Sequence, residues 1–258
     1  MLIAIDIGNT NVVIGIYQNN ELIAHWRLSS QIARTRDECW ILLNSLLNSN
    51  AIDIKQIQGG IISSVVPNLT STFIQVLEDY FQMQPVIVNS DLNIDLKILY
   101  NDPRAVGADR ICNAVAGFHL FGGPLVILDF GTATTFDVVS ENNEYLGGII
   151  APGIELTASI LHQRAARLPK VELIFPTFVI GKTTESSIQA GLMFGTVELI
   201  NGLISRIEKE LGTTVKTVAT GGLAKLVTPY TNKVEWIEPL LTLEGLRLIY
   251  EQVMNKSK

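Results

Sequence analysis

The chain repeats itself, and the repeat limits the folds open to it. Residues 2–26, "LIAIDIGNTNVVIGIYQNNELIAHW", lie over residues 125–149, "LVILDFGTATTFDVVSENNEYLGGI", at an offset of 123. Asp6 falls on Asp129, Gly8 on Gly131, and Asn19-Asn20-Glu21 on Asn142-Asn143-Glu144, with no gap. Each copy reads as strand, glycine turn, strand, Asn-Asn turn, strand, a three-stranded antiparallel meander. Chance supplies one Asp-x-Gly pair easily; a second turn in the same register points to duplication.

After each meander the pattern changes to alternating helices and strands. In the first half the spacing predicts a helix over 36–49, a strand over 59–66, a helix opening at Pro67 and a strand over 85–89. In the second half it predicts helices over 153–166 and 184–211, a strand over 214–220 and a closing helix over 240–254. The expectation is two α/β domains, 1–115 and 116–258, meeting within a helix near 108–121. On the long helix, Met193, Val197, Ile200, Ile204, Ile207 and Leu211 form one apolar stripe. Ile188, Leu192, Leu199 and Leu203 form a second beside it. Burial within its own domain or contact with a second subunit accounts equally for so wide a face.

Composition narrows the function classes. Hydrophobic residues make up 47% and charged residues 17%, which fits a globular chain with a large core. The net charge is −6 and no basic run is present, which argues against a nucleic-acid partner or an anionic membrane surface. The apolar runs are broken by Asp, Gly and Pro, and the start, "MLIAIDIGNT", lacks the basic region of a signal peptide. Cys39 and Cys112 have no paired spacing, so a reducing cytoplasm is expected, without a disulfide framework or zinc site.

An Asp closing a buried strand before a glycine turn suits a metal–phosphate ligand. The turn offers backbone N–H groups to phosphate, and the carboxylate can meet Mg²⁺ through its waters. Asn9, Thr10 and Asn11 in one turn, and Thr132, Thr134 and Thr135 in the other, add donors. Two ordinary hairpin turns with polar tips are the structural alternative. "DFG" at 129–131 lacks the Gly-rich loop, strand lysine and His-Arg-Asp loop of a protein kinase. "IGKTTE" at 180–185 has Pro176 where a phosphate loop needs glycine.

The paired Asp-x-Gly turns resemble the superfamily of acetate and sugar kinases, heat-shock ATPases and actin. The Gly221-Gly222 end of "VATGGLAKL" resembles that superfamily's adenosine motif. The order and spacing of "DIGNTN" at 6–11, "SSVVP" at 63–67, Tyr100, "VGADRICNA" at 106–114, "DFGTATTFDVV" at 129–139, "GGIIAPG" at 147–153 and "GKTTESSIQAG" at 181–191 resemble type III pantothenate kinase along the whole chain. The family often has Asn or Ser where this chain has Thr183.

The resemblance implies an α/β fold of two duplicated ribonuclease-H-like, actin-like ATPase domains with an ATP cleft between them. It implies ATP-dependent phosphorylation of pantothenate to 4'-phosphopantothenate, the entry to coenzyme A. Asp6, Ile7, Gly8, Asn9, Thr10, Asn11, Val12 and Val13 would hold ATP, with Asp6 reaching Mg²⁺ through water. Thr132, Gly221 and Gly222 would complete the nucleotide site, and Asp129 would bind a monovalent cation, K⁺ or NH₄⁺. Tyr100, Gly107, Ala108, Asp109, Arg110 and Thr184 would hold pantothenate, with Asp109 as proton acceptor. The family's homodimer would suit the broad face of the long helix. Two readings compete: another small-molecule kinase of the same fold, and an ATP-binding regulatory relative without kinase activity. For Asp109 the structural alternative is a helix N-cap.

Overall fold

The structure, a computed structural model, describes residues 1–165 and 167–256. Its contacts divide the chain into two compact units, Met1–His119 with Leu241–Lys258, and Leu120–Leu240.

The first unit opens with β1 (Leu2–Ile7), β2 (Asn11–Gln18) and β3 (Glu21–Ser29). Asn19 and Asn20 both take positive φ, as a two-residue hairpin turn requires. Then follow α1 (Arg36–Ser49), β4 (Gly59–Ser64), α2 (Pro67–Phe81), and the short β5 (Val86–Ile87) and β6 (Lys97–Ile98). Thr35 and Glu38 form a capping box at the start of α1. The sheet order is β3-β2-β1-β4-β5, with β4 parallel to β1. Its core gathers Ile3, Ile5, Ile7, Val12 and Ile14 against Leu43, Phe73 and Leu77. Helix α3 (Ala108–Phe121) follows.

The second unit holds β7 (Leu125–Phe130), β8 (Ala133–Val139), β9 (Glu144–Pro152), α4 (Ile154–Arg164), α5 (Thr184–Leu211), β10 (Lys216–Gly221), α6 (Ala224–Val227) and β11 (Trp236–Ile237). These strands run in the order β11-β10-β7-β8-β9, with β10 parallel to β7. Residue 166, at the end of the helix predicted over 153–166, lies outside the described residues.

The meanders are duplicates, but the gapless alignment needs correction in the middle strand. Val12 pairs with Ile7, whereas Thr134 pairs with Phe130; Val13 pairs with Asp6, whereas Thr135 pairs with Asp129. The structural offset between β2 and β8 is therefore 122, because the second glycine turn is one residue shorter. The register irregularities agree, lying between Ile16 and Tyr17 and between Val138 and Val139. The extra residue returns before Glu144, so the outer strands align at 123 again. A one-residue slip exchanges the faces of a strand. Asp137 thus takes the place of Gly15, and is buried with its Oδ1 accepting from Tyr145 Oη at 2.7 Å.

Helix α7 (Leu241–Lys256), placed by the sequence in the second half, packs on β1, β2 and β4 of the first unit. Leu243 fills the space over Gly15, and Gly245 lies against the Cys112 backbone of α3. In α5, Met193, Val197, Ile200, Ile204 and Ile207 are buried with β7 and β8 residues, while Leu199 is exposed. Its 28 residues reach the length and apolarity of a membrane span, against the expectation from the broken apolar runs of the sequence. The buried inner stripe is that of a core helix.

Candidate active site

Asp6 stands at the C-terminal end of β1, beside Ser63 in the parallel β4 register. Ser63 is fully buried, and its Oγ donates to Asp6 Oδ1 at 2.9 Å. The turn beyond it closes on itself: the Gly8 N–H donates to the Asn11 carbonyl at 2.9 Å. In the second unit the Gly131 N–H donates to the Ala133 carbonyl at 3.1 Å. Neither glycine N–H is therefore a spare phosphate donor, contrary to the simplest reading of a glycine turn. Ile7 and Val12 belong to the core, so any part they take in binding is through the backbone. Asn9 is exposed, and Gly8, Thr10, Asn11 and Val13 are half-buried.

Helix α3 begins at Ala108, which puts Asp109 in its first turn rather than at the cap. Asp109 Oδ1 accepts from the Arg110 N–H at 2.8 Å. A Cβ on Gly107 would lie 2.5 Å from that same oxygen, so any side chain there would push the carboxylate out of its place. Burial holds the Asp109 proton affinity above the ordinary carboxylate range, and the Arg110 N–H and guanidinium charge only partly offset it. Arg110 is itself buried, while Tyr100 is exposed.

One further turn into α3, Cys112 is fully buried, with its thiol pushed well up by burial and by the charges of Asp6 and Asp109. Sequence reasoning assigned no role to Ser63 or Cys112. The signal lay in the β4 register, since a strand parallel to β1 brings its last residues beside Asp6.

In the second unit, Asp129 closes β7 and is half-buried. Gly221, at φ 89°, lies against it: a Cβ there would be 2.5 Å from Asp129 Oδ1 and 2.6 Å from the Phe130 nitrogen. Only glycine brings backbone so near this carboxylate. Gly222 begins the turn after β10, and the Thr132 carbonyl accepts from the Gly153 N–H at 3.2 Å. Thr184 is the exposed first residue of α5, and its neighbour Thr183 is the N-cap, accepting from the Ser186 N–H. Thr183 can therefore replace Asn or Ser, because all three cap helices.

Among the described residues no three His, Cys, Asp or Glu side chains cluster as a metal cage. Asp6 as a lone anchored carboxylate fits Mg²⁺, which keeps waters and binds alongside phosphates. Asp129, with the Gly221 backbone against it, fits an oxygen-liganded monovalent cation.

The sequence model describing type III pantothenate kinase matches residues 2–206. A type III pantothenate kinase of Moorella thermoacetica is 46% identical over 252 residues, covering 98% of this chain and 99% of its own. One from Roseiflexus sp. strain RS-1 is 48% identical over 257 residues, covering all of both chains. The fold is similar to that of a Campylobacter jejuni protein described as a Baf family transcriptional activator, at TM-score 0.62 and 20% identity, over 98% of this chain and 99% of that one. From the family match and the full-length relatives, the chain belongs to the type III pantothenate kinase family.

Proposed function

We propose that this protein transfers the γ-phosphoryl group of ATP to pantothenate, giving 4'-phosphopantothenate, the first step of coenzyme A biosynthesis. The observation that carries the reading is the match to type III pantothenate kinase along the chain, with Asp6 anchored by Ser63 at the end of β1.

Phosphoryl transfer depends mainly on positioning and charge neutralisation. Asp6 and the turn through Val13 hold the phosphates, Thr132 adds a donor, and Gly221 and Gly222 leave room for the adenosine. Magnesium bound with ATP supplies neutralising charge at the phosphates. Asp129 holds a monovalent cation, K⁺ or NH₄⁺. Tyr100, Gly107, Ala108, Arg110 and Thr184 bind pantothenate.

Asp109 orients the hydroxyl and accepts its proton as the new P–O bond forms. Even with its raised affinity, a carboxylate is far too weak a base to ionise an alcohol beforehand. Proton transfer of this kind contributes about 10² to 10⁴ in rate.

The protein acts in the cytoplasm as a homodimer. Both cysteines are free and buried, as a reducing compartment favours. Apolar side chains stand exposed at Ile150 on β9, at Leu156, Ile160 and Leu161 on α4, and at Phe178, Val179 and Ile180 beyond it. So much exposed apolar surface in one unit suits a subunit contact.

Turnover of ATP with pantothenate, in K⁺ against Na⁺ buffer, tests the reading. Turnover requiring both pantothenate and K⁺ is expected. A folded protein that binds ATP and turns over no pantothenate refutes the function, and turnover indifferent to K⁺ removes the role of Asp129.

A further inference from the structure

The end of β4 holds a buried hydroxyl that phosphoryl transfer, as described, does not use. Ser63 is fully buried, and its Oγ donates its one proton to Asp6 Oδ1 at 2.9 Å.

This hydrogen bond answers a geometric need. The terminal torsion of an aspartate is broad, so its carboxylate plane is poorly set by sterics alone. Anchoring one oxygen fixes that plane and the direction of the other. The second unit repeats the placement: buried Thr220 on β10 stands opposite Asp129, as Ser63 on β4 stands opposite Asp6. In both copies a hydroxyl residue on the parallel neighbour accompanies the strand-end carboxylate.

We propose that Ser63 is a positioning residue that sets Asp6 for Mg²⁺–ATP. The proposal rests on the reading of Asp6 as the magnesium end of the nucleotide site. Residues that orient a metal-binding group in this way typically change metal affinity by about 10- to 100-fold.

The test is calorimetric binding of β,γ-imido-ATP to the full chain, once with Mg²⁺ and once with EDTA. Ser63→Ala should weaken binding by roughly 10- to 100-fold with Mg²⁺ and leave the weak binding in EDTA unchanged. Ser63→Thr, which keeps the hydroxyl, should recover most of the loss, and the KM for pantothenate should hardly move in either variant. Unchanged Mg²⁺-dependent affinity in a folded Ser63→Ala protein overturns the proposal. So does a loss of equal size in EDTA, which marks a merely structural role. Should Ser63→Ala fail to fold, Ser63→Cys against Ser63→Thr carries the test: the thiol is the weaker donor and should bind Mg²⁺–nucleotide less tightly than the threonine, and equal affinities overturn the proposal. Binding is read without pantothenate, so failure of the wild-type protein to phosphorylate pantothenate would remove the acceptor assignment alone.

Discussion

Gly245 should tolerate no side chain at all, although it sits inside a helix where alanine is ordinarily the better residue. An alanine Cβ there would overlap the Cys112 carbonyl oxygen and lie 2.5 Å from its carbon and 2.8 Å from the Cys112 Cα. These are backbone atoms of α3, and no rotamer change removes them. Ordinary contact begins at 3.4 Å, so α7 and α3 must part by about 1 Å. Such overpacking costs about 1–3 kcal/mol, and a backbone overlap belongs at the upper end. Helix propensity returns about 1 kcal/mol, leaving a net loss of about 2 kcal/mol. For a chain of this size that lowers Tm by about 4–8 °C. The movement also strains the bond from Thr242 Oγ1 to Asn113 Oδ1, now 2.8 Å. Gly202 on α5 is the matched control, since a Cβ there meets nothing within 4 Å. Gly202→Ala should raise stability by up to about 1 kcal/mol. Scanning calorimetry on the two variants decides the matter. A Gly245→Ala protein as stable as the wild type would refute the close crossing of α3 and α7.

Asp109→Asn should lower turnover by about 10² to 10⁴ while raising Tm at neutral pH. The sign follows from a folded-state proton affinity above the unfolded one: ionisation costs stability as pH rises past about 4. The gain in Tm should therefore shrink as pH falls toward that value, and a neutral-pH Tm below wild type would contradict the burial of Asp109. Gly107→Ala should lower kcat by about tenfold, because its Cβ displaces the Asp109 carboxylate rather than backbone. Its Tm should stay near wild type; unchanged kcat would show that the observed carboxylate position does not matter.

Much of this architecture was legible because β1 and β7 are near-unbroken apolar runs carrying an Asp before a glycine turn. β1 and β7 share the burial pattern as well as the Asp, so their equivalence needed no structure. The β2 and β8 offset was not legible. Asn-Asn-Glu restores the alignment after the slip, and an insertion offset by a later one leaves no trace in a gapless comparison. The place of α7 was hidden for a different reason: its close docking depends on glycines, at 15 and 59 beneath Leu243 and Tyr250 and at 245 against Cys112, and that fit exists only in three dimensions. Asp6 and Asp129 stood out through their turns, and Asp109 through the family resemblance alone. Ser63 did not, because a serine at a strand end carries no local signal until the parallel register puts it beside Asp6.

The attachment of α7 to β1, β2 and β4 has a consequence for synthesis. The second unit is a continuous stretch of chain and can fold as soon as Leu240 has cleared the ribosome. The first unit begins earlier and finishes later, because its sheet lacks its covering helix until the last residues emerge. A nascent chain stalled before Leu241 would therefore leave one face of the first unit's sheet uncovered and open to chaperones, although α1 and α2 already cover the other.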